Sequence, residues 1–190
     1  MSYRIKTKEI VTSAPINKNR WCLLDRDGVL VKDRGHTHKI SDLEILPNVT
    51  EGLRLLKDAG FRFIVVTNQA GIAKKYYTRE DADLFNCELQ KRLAKENIFI
   101  EAFYVCPHHP HHTGECFCRK PNTGMLEQAQ KKFFIKPALS ILVGDKDSDI
   151  EAGKRWGCKT FRIASGQYPA EIKADYNIKN LLEVANILNR

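Results

Sequence analysis

Short apolar runs alternate with longer stretches whose apolar positions recur every three or four residues, and this rhythm holds from about residue 20 to the end of the chain. The strand-like runs are Trp21 to Leu24, Phe61 to Val66, residues 98–105, Leu139 to Val143 and Lys159 to Ile163. Between them lie segments with helical spacing. Leu53, Leu55 and Leu56 precede Gly60, and Leu84, Phe85, Leu89 and Leu93 follow Thr78. Met125, Leu126 and Ala129 follow Thr123, Ser148 to Trp156 stops at Gly157, and Asn180 to Leu188 closes the chain. Asn48 with Glu51, and Thr78 with Asp81, have the spacing of capping boxes. The strand runs are nearly all apolar, as in a sheet covered on both faces. Alternating strands and helices therefore predict an α/β fold built on a doubly wound parallel sheet. Residues 1–19 carry little periodicity and are expected to form an N-terminal arm or an edge strand. Residues 29–46 read as a polar flap or hairpin. With no repeat, low-complexity tract or linker, one domain over 1–190 is expected.

Composition narrows the setting. The 190 residues are 43% hydrophobic and 28% charged, ordinary values for a globular chain. No apolar stretch approaches membrane-spanning length, and Met1 to Ile10 lacks the apolar core of a secretory signal, so a cytoplasmic protein with no membrane partner is expected. In that reducing setting the six cysteines favour metal ligation over disulfides. Cys22, Cys87 and Cys158 stand apart and read as core or surface thiols. The net charge of +8 is spread along the chain without a basic run, which suits a small anionic substrate better than nucleic acid. A monomer is expected. No G-x-x-x-x-G-K-[ST] or G-x-G-x-x-G segment is present, which weighs against nucleoside triphosphate and dinucleotide binding.

The chemistry concentrates at strand ends. Asp25-Arg26-Asp27-Gly28 follows the first strand run, and two carboxylates spaced i, i+2 can hold a hard cation, attack phosphorus and move a proton. Thr67-Asn68-Gln69 and Gly144-Asp145-Lys146 each follow another strand run, and Arg119-Lys120-Pro121 lies in a loop. In a doubly wound sheet, ligands sit beyond the carboxyl ends of the strands, so Asp25, Thr67 and Asp145 can face one crevice that Lys120 reaches. Carboxylates, a hydroxyl and a lysine outline a phosphate site, and hard oxygen ligands beside phosphate select Mg²⁺. Asp147 and Ser148 read instead as the acidic, polar start of a helix.

A second cluster is Cys106-Pro107-His108 with Cys116-Phe117-Cys118. Three thiolates and one imidazole complete a closed, tetrahedral, structural Zn²⁺ site, with His109, His111 and His112 as competing ligands. Zinc on Cys118 would fix the next two residues, Arg119 and Lys120, over the phosphate site.

On these motifs the chain resembles the haloacid dehalogenase-like phosphatases. Asp25-Arg26-Asp27-Gly28-Val29, Thr67, Lys120 and Gly144-Asp145 with Asp149 match the four motifs of that family in order, over roughly residues 20–163. The resemblance implies a Rossmann-like sheet in which Asp25 is the nucleophile and forms an aspartyl-phosphate. It makes Asp27 the proton donor and acceptor, while Thr67 binds the phosphoryl oxygens and Lys120 neutralises them. It assigns Mg²⁺ to Asp25, Asp145 and the backbone carbonyl of Asp27.

Thr67-Asn68-Gln69-Ala70-Gly71-Ile72-Ala73, the C-P-H-H-P and C-x-C-R-K-P segments and G-D-K-x-x-D look like the branch that removes the 7-phosphate of heptose 1,7-bisphosphate. That branch serves surface-polysaccharide (lipopolysaccharide) precursors. It implies that Asn68, Arg119 and Lys146 bind a sugar bisphosphate. Val29 and Val31 depart from its usual Thr and Asn, and seven residues between His108 and Cys116 make a shorter zinc loop than in some members.

Neither the segment from Asp25 to Thr67 nor that from Thr67 to Lys120 has room for a large cap domain. An open site is expected, walled by loops 29–42 and 106–118, where Arg34, His36 and His38 read mainly as solvated polar residues. Histidinol phosphate, the substrate of relatives that share the zinc loop, is the alternative within the class. A zinc-stabilised nucleic-acid-binding module is the alternative outside it.

Overall fold

A computed structural model of the chain describes residues 19–188, so the arm expected at residues 1–19 lies almost wholly outside the described residues. The strands are β1 (Arg20–Leu24), β2 (Phe61–Asn68), β3 (Ile100–Cys106), β4 (Ile141–Gly144), β5 (Lys159–Ile163) and β6 (Tyr176–Ile178). They form one six-stranded sheet in the order β3-β2-β1-β4-β5-β6, every neighbouring pair parallel. The helices are α1 (Val49–Asp58), α2 (Ala70–Ala73), α3 (Arg79–Ala94), α4 (Pro110–Thr113), α5 (Gly124–Phe133), α6 (Asp147–Trp156) and α7 (Leu181–Leu188). The chain winds outward from β1 to β3, then restarts at β4 on the other side of β1. The topological switch point therefore lies between β1 and β4, where such sheets open a crevice.

The two faces follow from the period-2 alternation of strand side chains. Cys22, Leu24, Phe63, Val65, Val143 and Phe161 point to one side and pack with Leu53 and Leu56 of α1, Phe85, Leu89 and Leu93 of α3, and Leu181 and Val184 of α7. Trp21, Leu23, Ile64, Val66 and Leu142 point to the other and pack with Met125, Leu126 and Ala129 of α5 and Ala152 and Trp156 of α6. Both faces are dry, which explains why the strands read as continuous apolar runs. Residues 29–46 form no regular hairpin; Val31 makes an isolated antiparallel bridge to Ile45 and a parallel one to Asp27. No cap domain is present among the described residues.

Local expectations were corrected at three places. Asn48 does not cap α1 through its side chain; it adopts a left-handed conformation (φ 63°) that turns the chain sharply into the helix. Thr78 and Asp81, by contrast, form the reciprocal capping box at α3. Leu84 is not a core residue but is 59% exposed, because α3 turns Phe85, Leu89 and Leu93 inward and one apolar neighbour falls outside that stripe. Leu139 belongs to a 3-10 turn (Pro137–Leu139) ahead of β4 rather than to the strand.

Candidate active site

The parallel register brings the chemistry together. Leu24 pairs with Val65 on one side and Val143 on the other, so β1, β2 and β4 end side by side. Asp25 follows β1 at once, and its N–H donates to the Val143 carbonyl at 2.9 Å. Thr67 sits near the end of β2, Asp145 follows β4, and all three side chains are buried.

Lys120 enters from the loop before α5. Its Nζ donates to Asp25 Oδ1 at 2.9 Å and to the Val66 carbonyl at 2.6 Å, and it forms an ion pair with Asp149 Oδ1 at 2.6 Å. Burial pulls this ammonium toward neutrality, but the Asp149 and Asp25 carboxylates outweigh that and hold its pKa above the usual lysine value. Asn68, expected at the substrate, spends its amide on the Lys120 main chain: Nδ2 donates to the carbonyl at 3.0 Å and Oδ1 accepts from the N–H at 3.1 Å.

One oxygen each of Asp25, Asp145 and Asp149 falls within a span of 4.8 Å. Three carboxylates share one contacting ammonium, that of Lys120, an excess of negative charge away from water that is costly unless a cation joins them. Asp145 carries the burden. Neither of its carboxylate oxygens has a hydrogen-bond partner, and burial together with the Asp25 charge pushes its pKa up to about 8. These donors fit a hard divalent cation. Asp149, assigned to the last motif without a role, is thus part of the acidic cluster and the second partner of Lys120.

Gly28 makes room for this cradle. Its φ is +84°, and a Cβ there would stand 2.1 Å from Asp145 Oδ2. Gly28→Ala is therefore expected to drive the Asp145 carboxylate aside and to weaken activation by Mg²⁺ at least about tenfold, beyond a left-handed strain of roughly 1 kcal/mol. A Mg²⁺ titration of turnover reads the effect. An unchanged midpoint would remove Asp145 from the metal site.

Asp27 is held differently from Asp25. Its carboxylate accepts from Arg26 Nε at 3.1 Å, Arg26 Nη2 at 2.9 Å and Gln69 Nε2 at 2.8 Å. Arg26 is itself fully buried, bonded to Asn86 Oδ1 at 3.1 Å and the Thr37 carbonyl at 2.5 Å, with its guanidinium over the Phe85 ring at 4.4 Å. Gln69 Nε2 also donates to Thr67 Oγ1 at 2.8 Å, and its Oε1 accepts from Tyr77 at 2.5 Å. His38 stacks on Tyr77 at 4.4 Å. Burial raises the Asp27 pKa and Arg26 opposes the rise, so the group keeps a proton more readily than a free carboxyl. Gln69 and Tyr77 have site roles that their sequence pattern did not reveal; only the neighbourhood of Thr67 hinted at Gln69.

Beyond these groups opens a cleft of about 330 Å³ floored by Asp27, Asn68 and Gln69. Arg119, Lys146, Lys74 and His36 stand in its walls, with His109 from the cysteine-rich loop and Tyr168 from residues 164–175. Arg34 is turned away and pairs with Glu44. Walls from 29–42 and 106–118 were expected from the sequence; the third, from 164–175, was not. Asp147 fastens that wall, accepting from Arg162 and from the N–H groups of Glu171 and Ile172, both at 3.1 Å.

Cys106, His108, Cys116 and Cys118 converge behind Arg119, their donor atoms all within 4.8 Å of one another. The sulfurs of Cys106 and Cys118 are 3.1 Å apart, Cys116 lies 3.5 Å from Cys118, and His108 Nδ1 lies 3.3 Å from Cys118. Free thiols and an imidazole gathered this closely form the donor set of a tetrahedral zinc site. His109, His111 and His112 are outside that group of donors; His109 caps the short α4 instead.

Known proteins place this geometry. The HAD-hydrolase-like family profile matches residues 117–188. The D-glycero-alpha-D-manno-heptose-1,7-bisphosphate 7-phosphatase of Photorhabdus laumondii is 40% identical over 161 residues, 82% of this chain and 88% of that protein. The D-glycero-beta-D-manno-heptose-1,7-bisphosphate 7-phosphatase of Haemophilus influenzae is 36% identical over 180 residues, 90% and 98% of the two chains. Among solved structures, the D,D-heptose 1,7-bisphosphate phosphatase of B. bronchiseptica, complexed with magnesium and phosphate, superposes with a TM-score of 0.78 at 25% identity, covering 90% of this chain and 98% of that one. Identity of this order, sustained over nearly the whole of both chains, means common descent: the chain belongs to the heptose-1,7-bisphosphate 7-phosphatase family of haloacid dehalogenase-like hydrolases.

Proposed function

We propose that the chain removes the 7-phosphate of D-glycero-D-manno-heptose 1,7-bisphosphate through an aspartyl-phosphate on Asp25. The observation that carries the reading is the seating of Asp25 against Lys120, with the unpartnered Asp145 carboxylate beside them and a cation-walled cleft beyond. Asp25 attacks phosphorus while the bond to the sugar oxygen breaks, and Asp27 donates the proton that this oxygen needs. Asp27 then takes a proton from water as that water attacks the phosphorus of the acyl phosphate; the bond to Asp25 breaks and inorganic phosphate leaves. Thr67, its Oγ1 already accepting from Gln69, has its hydroxyl proton for a phosphoryl oxygen. Asp25, Asp145 and the backbone carbonyl of Asp27 would hold Mg²⁺, which would supply positive charge to offset that of the carboxylates and the phosphoryl group.

Arg119 and Lys146 lie beyond the reacting group and suit the second phosphate, which a monophosphate lacks. Zn²⁺ on Cys106, His108, Cys116 and Cys118 is structural, having no open position. Its thiolates call for a reducing compartment, hence the cytoplasm. Among the described residues no helix is long and apolar enough to cross a membrane.

The test is phosphate release with Mg²⁺ from the alpha and beta anomers of heptose 1,7-bisphosphate and from histidinol phosphate. A kcat/KM at least about 100-fold higher for the bisphosphate than for histidinol phosphate is expected, since losing two charged contacts costs roughly that much, and the phosphorus spectrum should show heptose 1-phosphate as product. Preference for histidinol phosphate would keep the mechanism and replace the substrate.

A further inference from the structure

Lys146 is held at the cleft by two groups that the reaction does not use. Its Nζ lies 3.1 Å from Asp33 Oδ2 and 4.4 Å from the centre of the Tyr168 ring. The Tyr168 hydroxyl donates to that same Asp33 oxygen at 2.7 Å, and Asp33 Oδ1 accepts from the Gly35 N–H at 2.8 Å. Both oxygens of Asp33 thus accept from donors, and its side chain is only 5% exposed. Every other residue from 164 to 170 is exposed, while Tyr168 alone is half-buried, turned into the cleft.

The arrangement answers two problems of a long cation beside an acidic cluster. A free lysine side chain has much rotamer entropy to lose on binding. Lys146 also stands near the Asp25 and Asp145 carboxylates, which compete for its ammonium whenever no metal ion offsets them. The Tyr168 ring face and Asp33 pull it the other way, over the open cleft. The Tyr168 hydroxyl, by donating to Asp33, weakens the hold of that carboxylate on the ammonium and leaves its charge available to an incoming anion.

We propose that Tyr168 is a positioning residue that sets the preference for a substrate bearing a second phosphate, acting through Lys146. This rests on the reading that Lys146 meets the non-reacting phosphate.

Steady-state kinetics on heptose 1,7-bisphosphate and on heptose 7-phosphate, which has the same reacting group without the 1-phosphate, tests it. Tyr168→Ala should raise KM for the bisphosphate about tenfold with kcat kept within about twofold, and leave both constants for the monophosphate unchanged. Tyr168→Phe, which keeps the ring and loses the hydroxyl, should fall between wild type and Tyr168→Ala. In a Lys146→Ala background, Tyr168→Ala should add nothing, because the residue it positions is gone.

Equal losses on both substrates, a fall in kcat alone, or multiplicative losses in the double variant would overturn the proposal. If Lys146→Ala abolishes the bisphosphate preference and Tyr168→Ala preserves it, only the role of Tyr168 is refuted. If Lys146→Ala itself preserves the preference, the reading beneath it fails as well.

Discussion

Asp25→Asn is expected to abolish phosphate release while fold and zinc content remain as in the parent protein. An amide cannot attack phosphorus, and loss of a nucleophile that acts as a unit with its acid–base partner costs at least about 10⁴-fold in kcat. The substitution is isosteric, and the oxygen of the new amide can still accept from Lys120, which keeps its ion pair with Asp149 and its bond to the Val66 carbonyl. Removing the Asp25 charge also relieves Asp145, so the metal-free variant should be no less stable than the parent. Phosphate release, circular dichroism and zinc analysis on one preparation read all three. Activity near the parent level would move the nucleophile elsewhere and dissolve the roles built around it.

The second large effect is expected at a residue that touches no substrate. Cys118→Ser should lose bound zinc and lower kcat roughly 10–100-fold, the usual range for groups that orient a site from behind. A serine hydroxyl stays protonated and cannot replace a thiolate on zinc. Cys118 is followed at once by Arg119 and Lys120. Lys120 must bring its Nζ within 2.9 Å of three oxygens, and the Asn68 amide clamps its main chain. An ångström of play in that loop would misplace the ammonium and lose much of the rate. Cys87→Ser, at an exposed cysteine outside the cluster, is the control and should change neither zinc content nor turnover. Full activity in a zinc-free Cys118→Ser protein would show that the cluster does not position Lys120.

Much of the architecture was legible because local and global signals agree. The strand runs are apolar because both faces of the sheet are covered, and the groups that follow three of them fall at one edge because the strands are parallel and in register. Asp25, Thr67 and Asp145 were placed together on that logic alone. The spacing of Cys106, His108, Cys116 and Cys118 likewise carries its own geometry, since four donors in one short loop can close on a single ion. Leu84 and Asn48 misled for the converse reason. A leucine beside a helical stripe looks like part of it, and an asparagine before a helix looks like a cap, until packing selects the angle at which each helix meets the sheet.

What the amino-acid sequence by itself determined is therefore the chemistry and its scaffold: which residues can attack, protonate and ligate, and that strand ends present them. Periodicity and motif order encode these, since both depend on neighbours close along the chain. The tertiary structure alone decided the second layer. It set Arg26 and Gln69 on Asp27, joined Tyr77 to Gln69, gave Asn68 to the Lys120 main chain and closed Tyr168 and Asp33 on Lys146. The partners Asp33 and Tyr168 lie 135 positions apart, and Asp25 and Lys120 lie 95 apart. No local spacing relates residues so distant. Only the folding of β1, β3 and β5 into one parallel sheet, with the segments that follow them at one edge, brings them within hydrogen-bond reach.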